Sequence, residues 1–276
     1  MSSRATRSEV DARAGAAPMG TQAIGRAMAV LRLFIDMKGD VRLHQVAEHL
    51  NLSTGTAHRI LRALAAEGYV AQNPTTDSYY LGSRAVLLGQ AAQQALGLDK
   101  ALPVLEEINA ATEESVNLAV REAGESVVFI RVQCTLPLRF EQHVGARFPL
   151  YSTASGKAML AHAADAEDFV ASLPAELPAV TAKTLRDPDK LVKELKSIRQ
   201  RGYSLDDEEN VLGVRCVGVP VLDDAGNAHA ALVVQAPAVR MPRDRMHELG
   251  RYLAEPARKI SRLIPVHHSL SRPATP

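Results

Sequence analysis

Residues 43 to 62, LHQVAEHLNLSTGTAHRILR, constrain the fold more than any other stretch. Apolar positions fall at Val46, Leu50, Leu52, Ala57 and Ile60, and the small Ala47 is followed four residues later by Asn51. Two helices that cross steeply need a small residue at the crossing, and the tight turn between them needs one that tolerates positive φ, as Asn does. Ser53 is placed to cap the second helix by accepting from its orphan first-turn amides. From Thr54 onward, Ala57, Ile60, Leu61 and Leu64 share one face, while Thr54, Gly55, His58, Arg59 and Arg62 share the other. An outer face of hydroxyls, one His and two Arg suits a DNA major groove. The candidate DNA contacts are therefore Ser53, Thr54, Thr56, His58, Arg59 and Arg62. An amphipathic helix pair in a bundle also has small residues at its crossing, so this spacing alone leaves both readings open.

Bulk charge does not decide the matter. The net charge is +1, and residues 21 to 83 hold six basic side chains (Arg26, Arg32, Lys38, Arg42, Arg59, Arg62) against five acids (Asp36, Asp40, Glu48, Glu67, Asp77). A DNA surface must come from the placement of charge and from dimerisation. With 276 residues the chain has room for two ordinary domains. Cys134 and Cys216 are too few and too far apart for a metal cage or disulfide framework, so no metal or other cofactor is expected and the compartment is read as reducing. The first twenty residues have no apolar h-region, and no run approaches the roughly 18 apolar residues that span a bilayer. A cytoplasmic protein without membrane contact is expected, with residues 1–20 and 265–276 as disordered arm and tail.

Around the central pair, Ile24, Ala27, Val30, Leu31 and Phe34 recur at helical spacing and predict a first helix packed behind it. Glu67-Gly68 ends the third helix. Two β-prone runs, Tyr69–Gln72 and Tyr79–Gly82, flank a turn and predict a hairpin, which straight after a recognition helix reads as a wing. Residues 21–82 are thus expected to form a winged helix-turn-helix domain. Ser83 is expected to cap a helix over 83–98, whose stripe of Ala85, Leu88, Ala91, Ala92, Ala95 and Leu98 would be under-buried in a monomer and suits pairing with a second subunit.

From 99 to 264 the pattern is α+β: a helix over Leu102–Thr112, strands at Ser115–Arg121 and Ser126–Val132, strand-like pieces over Leu138–Val144, and a helix from Asp187-Pro188 to Arg201. A strand pair follows at Val214–Leu222 and His229–Gln235, then one long helix to about Leu263 that Pro256 should kink. Two stretches here could carry chemistry. Tyr151–Ala158, YSTASGKA, opens a helix with a hydroxyl cap and free amides near Ala154 and Ser155, either a plain capped helix or an anion site. It is no Walker loop, because Tyr151 stands where the first glycine is needed and Ala158 replaces the metal-binding hydroxyl. The run Asp206-Asp207-Glu208-Glu209 reads as a solvated loop, although Asp206 near a strand bearing Cys216 could line a polar cavity. A thiol enzyme built on Cys216 would need a base, and no His lies near it in sequence. No catalytic residue is therefore assigned.

Four motifs, AIGRAMAVLRLF, HRILRALAAEGYV with YYLG, PLYSTASGKAMLA, and RGYSLDDEENVLGVRC before a strand hairpin, together resemble the IclR family of bacterial transcription factors, in order from about Thr21 to Leu263. The resemblance implies an N-terminal winged helix-turn-helix, a linker helix and a C-terminal α+β effector domain related to GAF domains. It also implies homodimers, often paired into tetramers, on palindromic double-stranded operators, with a small organic acid as effector. Carried over by position, the effector pocket comprises Ala154, Ser155, Asp206, Val214, Cys216, Val233 and Gln235. Relatives that bind short keto acids often have small hydroxyl residues where this chain has Val233 and Gln235. A ligand body larger and greasier than pyruvate, walled by Leu138, Leu150, Val214 and Val233, is therefore expected. An effector-independent DNA-binding protein is the alternative.

Overall fold

The computed structural model describes residues 21–37 and 39–264; the expected arm and tail lie outside them. The chain divides into two compact units between Ala91 and Ala92. In the first, α1 (Gln22–Met37), α2 (Leu43–His49) and α3 (Thr54–Ala66) enclose a core that includes Val30, Phe34, Val46, Ala57 and Leu61. Asn51 takes φ 49°, the left-handed turn that the spacing required. Ser53 caps α3, its hydroxyl oxygen accepting from the Thr56 amide. Ile24 departs from expectation: with Met28 and Ile35 it is exposed on α1.

Strands β1 (Val70–Gln72) and β2 (Tyr79–Leu81) form the antiparallel wing. Its turn is shaped by Asn73, whose side-chain oxygen accepts from the amides of Thr75 and Thr76 at 2.9 and 3.3 Å. Ser78 donates to Asp40 at 2.7 Å and Val41 bridges Tyr79, which ties the wing to the α1–α2 connection. Helix α4 (Ser83–Ala95) follows, with Ser83 as its first helical residue and not its cap. None of its side chains is buried, and Val86, Leu87 and Leu88 are 59, 56 and 57 % exposed. The helix stops short of the expected 98, because left-handed Gly97 separates it from α5 (Leu98–Thr112) and places Leu98 in the core of the second unit.

The second unit is built on a six-stranded antiparallel sheet ordered β5-β4-β3-β8-β7-β6, with β3 Ser115–Glu122, β4 Glu125–Val132, β5 Arg147–Pro149, β6 Ser204–Asp207, β7 Val214–Leu222 and β8 Ala228–Pro237. Strand alternation separates its faces. Val116, Leu118, Val217, Val219, Leu232 and Val234 pack with α5, α9 (Arg243–Tyr252) and α10 (Ala254–Leu263). Cys216, Ala231 and Val233 lie on the other face with α6 (Ala154–Ala161), which α8 (Pro188–Arg201) covers. A short α7 (Ala166–Ala171) precedes α8.

Three expectations are corrected here. Leu138–Val144 is irregular, bounded by Pro137 and left-handed Gly145, and Arg147–Pro149 pairs with β4 instead. The acidic run begins in β6, an edge strand whose inward Ser204 and Asp206 are buried. The final helix breaks at Leu253, which leaves Pro256 in the first turn of α10, where a missing N–H costs nothing.

The α6 start lies hard against the sheet. A Cβ on Gly218 would sit 2.7 Å from the Ala154 carbonyl oxygen, and one on Gly156 would overlap the Leu150 carbonyl. Gly156→Ala should therefore destabilise the second unit by about 1–3 kcal/mol. Gly55→Ala, where a Cβ meets open space, should change stability by no more than about 0.5 kcal/mol. Urea unfolding of the full chain reads both.

Candidate functional site

On α3 the outward positions divide by what they already hold. The Ser53 hydroxyl caps the helix and lies 2.9 Å from the Thr56 hydroxyl, and Arg59 donates to Thr56 at 3.5 Å. Thr54, His58, Arg59 and Arg62 are exposed and Thr56 is partly so. His58, Arg59 and Arg62 lie on the helix face away from the buried Ala57, Leu61 and Leu64, and Thr54 and Thr56 flank it in the first turn. The local cap network orients Arg59, while Arg62 stands one turn further along.

In the second unit, Ala154, Ser155, Asp206, Cys216, Val233 and Gln235 line one small cavity, and Val214 does not. Val214 packs in the hydrophobic cluster around α6. The cavity arises because Thr153 caps α6: its hydroxyl accepts from Gly156 at 3.1 Å and its carbonyl from Lys157 at 3.0 Å. No acceptor among the described residues takes the amides of Ala154 and Ser155. The helix is held in place by Ser204, whose hydroxyl donates to the Ala154 carbonyl at 2.5 Å. Sheet register supplies the opposite wall, with Asp206 beside Cys216 and Cys216 beside Gln235 on neighbouring strands.

Sequence reasoning missed Asn117, Gln142 and Phe148, which also line the cavity, and the Arg131 behind it. An inward Asn and Arg on β-prone runs were available signals. Gln142 could not be found, since it comes from the irregular segment. The cavity measures about 30 Å³, room for water and not for the body larger than pyruvate that was expected. Of the expected apolar wall, Leu138 is exposed and Leu150 and Val214 belong to the core; Ala119, Val128, Phe148 and Val233 provide the apolar lining.

The acidic run is held by partners and is not freely solvated. Asp206 accepts from the amides of Glu209 and Asn210 at 2.7 and 3.3 Å. Glu209 pairs at 2.5 Å with Lys157, a lysine only 1 % exposed. Asp207 binds Arg215 and Arg243, both at 2.6 Å, and Glu208 binds Lys183 at 2.5 Å. Burial raises the Asp206 carboxyl to about 7, against the opposing pull of Lys157. Cys216 is no activated nucleophile: burial, then the Asp206 charge, push its thiol well above the ordinary value.

A carboxyl whose folded-state value exceeds its unfolded one contributes stability that is fully present below the unfolded value, about 3.8. That contribution is lost as pH rises through about 7. Asp206→Asn keeps an acceptor for the two loop amides but cannot titrate. Its stability relative to the wild type should therefore rise from pH 4 to pH 8 in urea melts, and a constant difference would refute the assignment.

Comparison with known proteins places both units. Residues 23–74 match the IclR helix-turn-helix domain, and residues 91–262 match the C-terminal domain of bacterial IclR transcriptional regulators. The chain is 34% identical over 244 residues to the HTH-type transcriptional regulator BhcR of Paracoccus denitrificans, covering 88% of this chain and 87% of that one. It is 30% identical to the transcriptional repressor IclR of Escherichia coli, covering 87% and 89%. The crystal structure of Thermotoga maritima IclR superposes with a TM-score of 0.70 at 30% identity, over 87% of this chain and 97% of that one. No described helix is long and apolar enough to cross a membrane. With a helix-turn-helix unit, a linker helix and an α+β effector unit in this order, the chain belongs to the IclR family of DNA-binding transcriptional regulators.

Proposed function

We propose that the chain is a cytoplasmic repressor of a catabolic operon, which binds a palindromic operator as a homodimer or tetramer and is controlled by a small organic acid in the cavity under α6. The repressor name of the Escherichia coli relative supports the sign of regulation. The observation that carries the effector reading is the pair of unused amides at Ala154 and Ser155 on a small cavity that polar and apolar side chains line together. Helix-terminal amides favour an anion, and the raised Asp206 carboxyl reduces the repulsion a carboxylate would otherwise meet. Residues 21–82 serve DNA, 83–98 join the units and pair subunits, and 99–264 hold the effector.

Thr54, His58, Arg59 and Arg62 face the major groove in this reading, with Ser53 and Thr56 fixing the start of α3. An arginine that reads a base should cost about 1–3 kcal/mol on replacement and relax one operator position, whereas a phosphate contact should weaken all sequences alike. Gel shifts of Arg59→Ala and Arg62→Ala against operator variants distinguish the two, and unchanged affinity in both variants overturns the interface.

Val86, Leu87 and Leu88 on α4, with Ile24, Met28 and Ile35 on α1, leave apolar side chains in water in a single chain. Pairing through these faces would give the two-fold symmetry that a palindrome needs, with recognition helices about 34–36 Å apart or a multiple of that. Leu87→Glu with Leu88→Glu should convert the dimer to monomer in light scattering at micromolar concentration and abolish the operator shift. A wild-type monomer, free and on DNA, would refute the pairing.

A further inference from the structure

Arg131, on β4, is tied to the cavity wall without belonging to the lining. Its Nη1 donates to the side-chain oxygens of Asn117 at 2.9 Å, Gln142 at 3.0 Å and Gln235 at 3.0 Å. Nη2 donates to the Phe140 carbonyl at 2.7 Å and Nε to Gln133 at 2.6 Å. Every one of these acceptors is neutral. Three other buried charges of this unit have ionic partners: Glu114 has Arg240 at 2.7 Å, Lys157 has Glu209, and Arg121 has Asp165 at 2.5 Å, whereas Asp206 is held by backbone amides. No carboxylate lies within ion-pair distance of Arg131 among the described residues. Glu141, whose charge reaches it, is already engaged by Arg139 at 2.8 Å.

A guanidinium only donates, so the amide atoms facing it must be oxygens. This fixes the flip of each amide. Asn117 turns its NH₂ to Gln142 at 3.2 Å, the Gln235 NH₂ faces only the Cys216 sulfur, a weak acceptor, and the Gln142 NH₂ has no acceptor among the described residues. The cavity is thus lined by the free amides of Ala154 and Ser155 on one side and by Gln142 and Gln235 on the other, with a cation that has no ion-pair partner behind the second pair.

We propose that Arg131 is a positioning residue that makes the far wall of the effector cavity a second anion-recognition pole, so that the preferred effector is a short dicarboxylate. This rests on the effector reading of the cavity. The near carboxylate lies on the α6 amides, and the far one takes the Gln142 and Gln235 NH₂ groups and supplies the counter-charge that Arg131 lacks. Asp206, turned to the loop amides of Glu209 and Asn210, does not compete for those donors. At about 30 Å³ the cavity must widen for any acid, which favours the shortest ones.

The test is calorimetry on the full chain with oxalate and malonate, each against acetate and propionate as monoacids of matched carbon number. The wild type should bind each diacid at least about tenfold more tightly than its monoacid. Arg131→Met should remove that preference and Arg131→Lys restore part of it. Gln235→Glu gives Arg131 a carboxylate in place and so guards against a merely unfolded variant; it should keep the wild-type melting midpoint or raise it, yet lose the diacid preference. Monoacid binding without diacid preference, or a preference unchanged in Arg131→Met and Gln235→Glu, overturns the role of Arg131 and leaves the effector reading standing. Absence of binding by all four acids overturns both.

Discussion

The seating of one helix start on one strand controls the geometry of the second unit. Ser204 donates to the Ala154 carbonyl, and Gly218 beneath it presents no side chain, so the first turn of α6 approaches closer than any Cβ would allow. The Thr153 cap satisfies the next two amides and leaves those of Ala154 and Ser155 facing the strands. The cavity follows from this contact: its floor is the sheet, its roof is a helix end, and its polar character comes from backbone donors that the fold itself cannot use.

Burial of charge has been handled differently on the cavity's two sides. On the acidic side each carboxylate after Asp206 has a cation: Arg215 and Arg243 for Asp207, Lys183 for Glu208, Lys157 for Glu209. Desolvation is offset there by Coulomb attraction and hydrogen bonds. On the opposite side Arg131 is bound by amide and carbonyl oxygens alone. Neutral acceptors satisfy its donors without an ion pair, so the desolvation of its charge is offset by hydrogen bonds and by the more distant Glu141.

The helix-turn-helix was legible because its demands are local: Asn51 for a left-handed turn, Ser53 for a cap, and a 3.6-residue period of apolar side chains. The wing and the two long hairpins were legible for the same reason, since Gly, Asn and Asp mark their turns. Edge strand β6 was not, because Asp207 and the following Glu208 and Glu209 are neutralised by Arg243, Lys183 and Lys157, all far away in sequence, and their charge concealed the inward alternation of Ser204 and Asp206. Leu138–Val144 has strand-like composition but lies between Pro137 and left-handed Gly145, and it is Arg147–Pro149 that pairs with the start of β4. The cavity residues on α6, β6, β7 and β8 came from family resemblance. Arg131 and Gln142 escaped because only sheet register and an irregular segment bring them together.

An effector can shift DNA affinity only through unequal affinity for two states of the protein. The second unit contains a short circuit through which such a difference could be expressed. Asp206 holds the amides of Glu209 and Asn210, Glu209 holds Lys157, and Lys157 belongs to the same helix whose first amides face the cavity. Both walls of the cavity are thus joined by one buried ion pair. A carboxylate on the α6 amides favours the protonated form of Asp206, which weakens its grip on the loop amides and so loosens the loop that carries Glu209. Since the Lys157 ammonium is almost wholly removed from water, it cannot trade Glu209 for solvent at low cost, so the ion pair resists separation of the loop from α6. If the effector reading holds, an anion at the start of α6 and the position of the acidic loop are coupled through this circuit, each biasing the other.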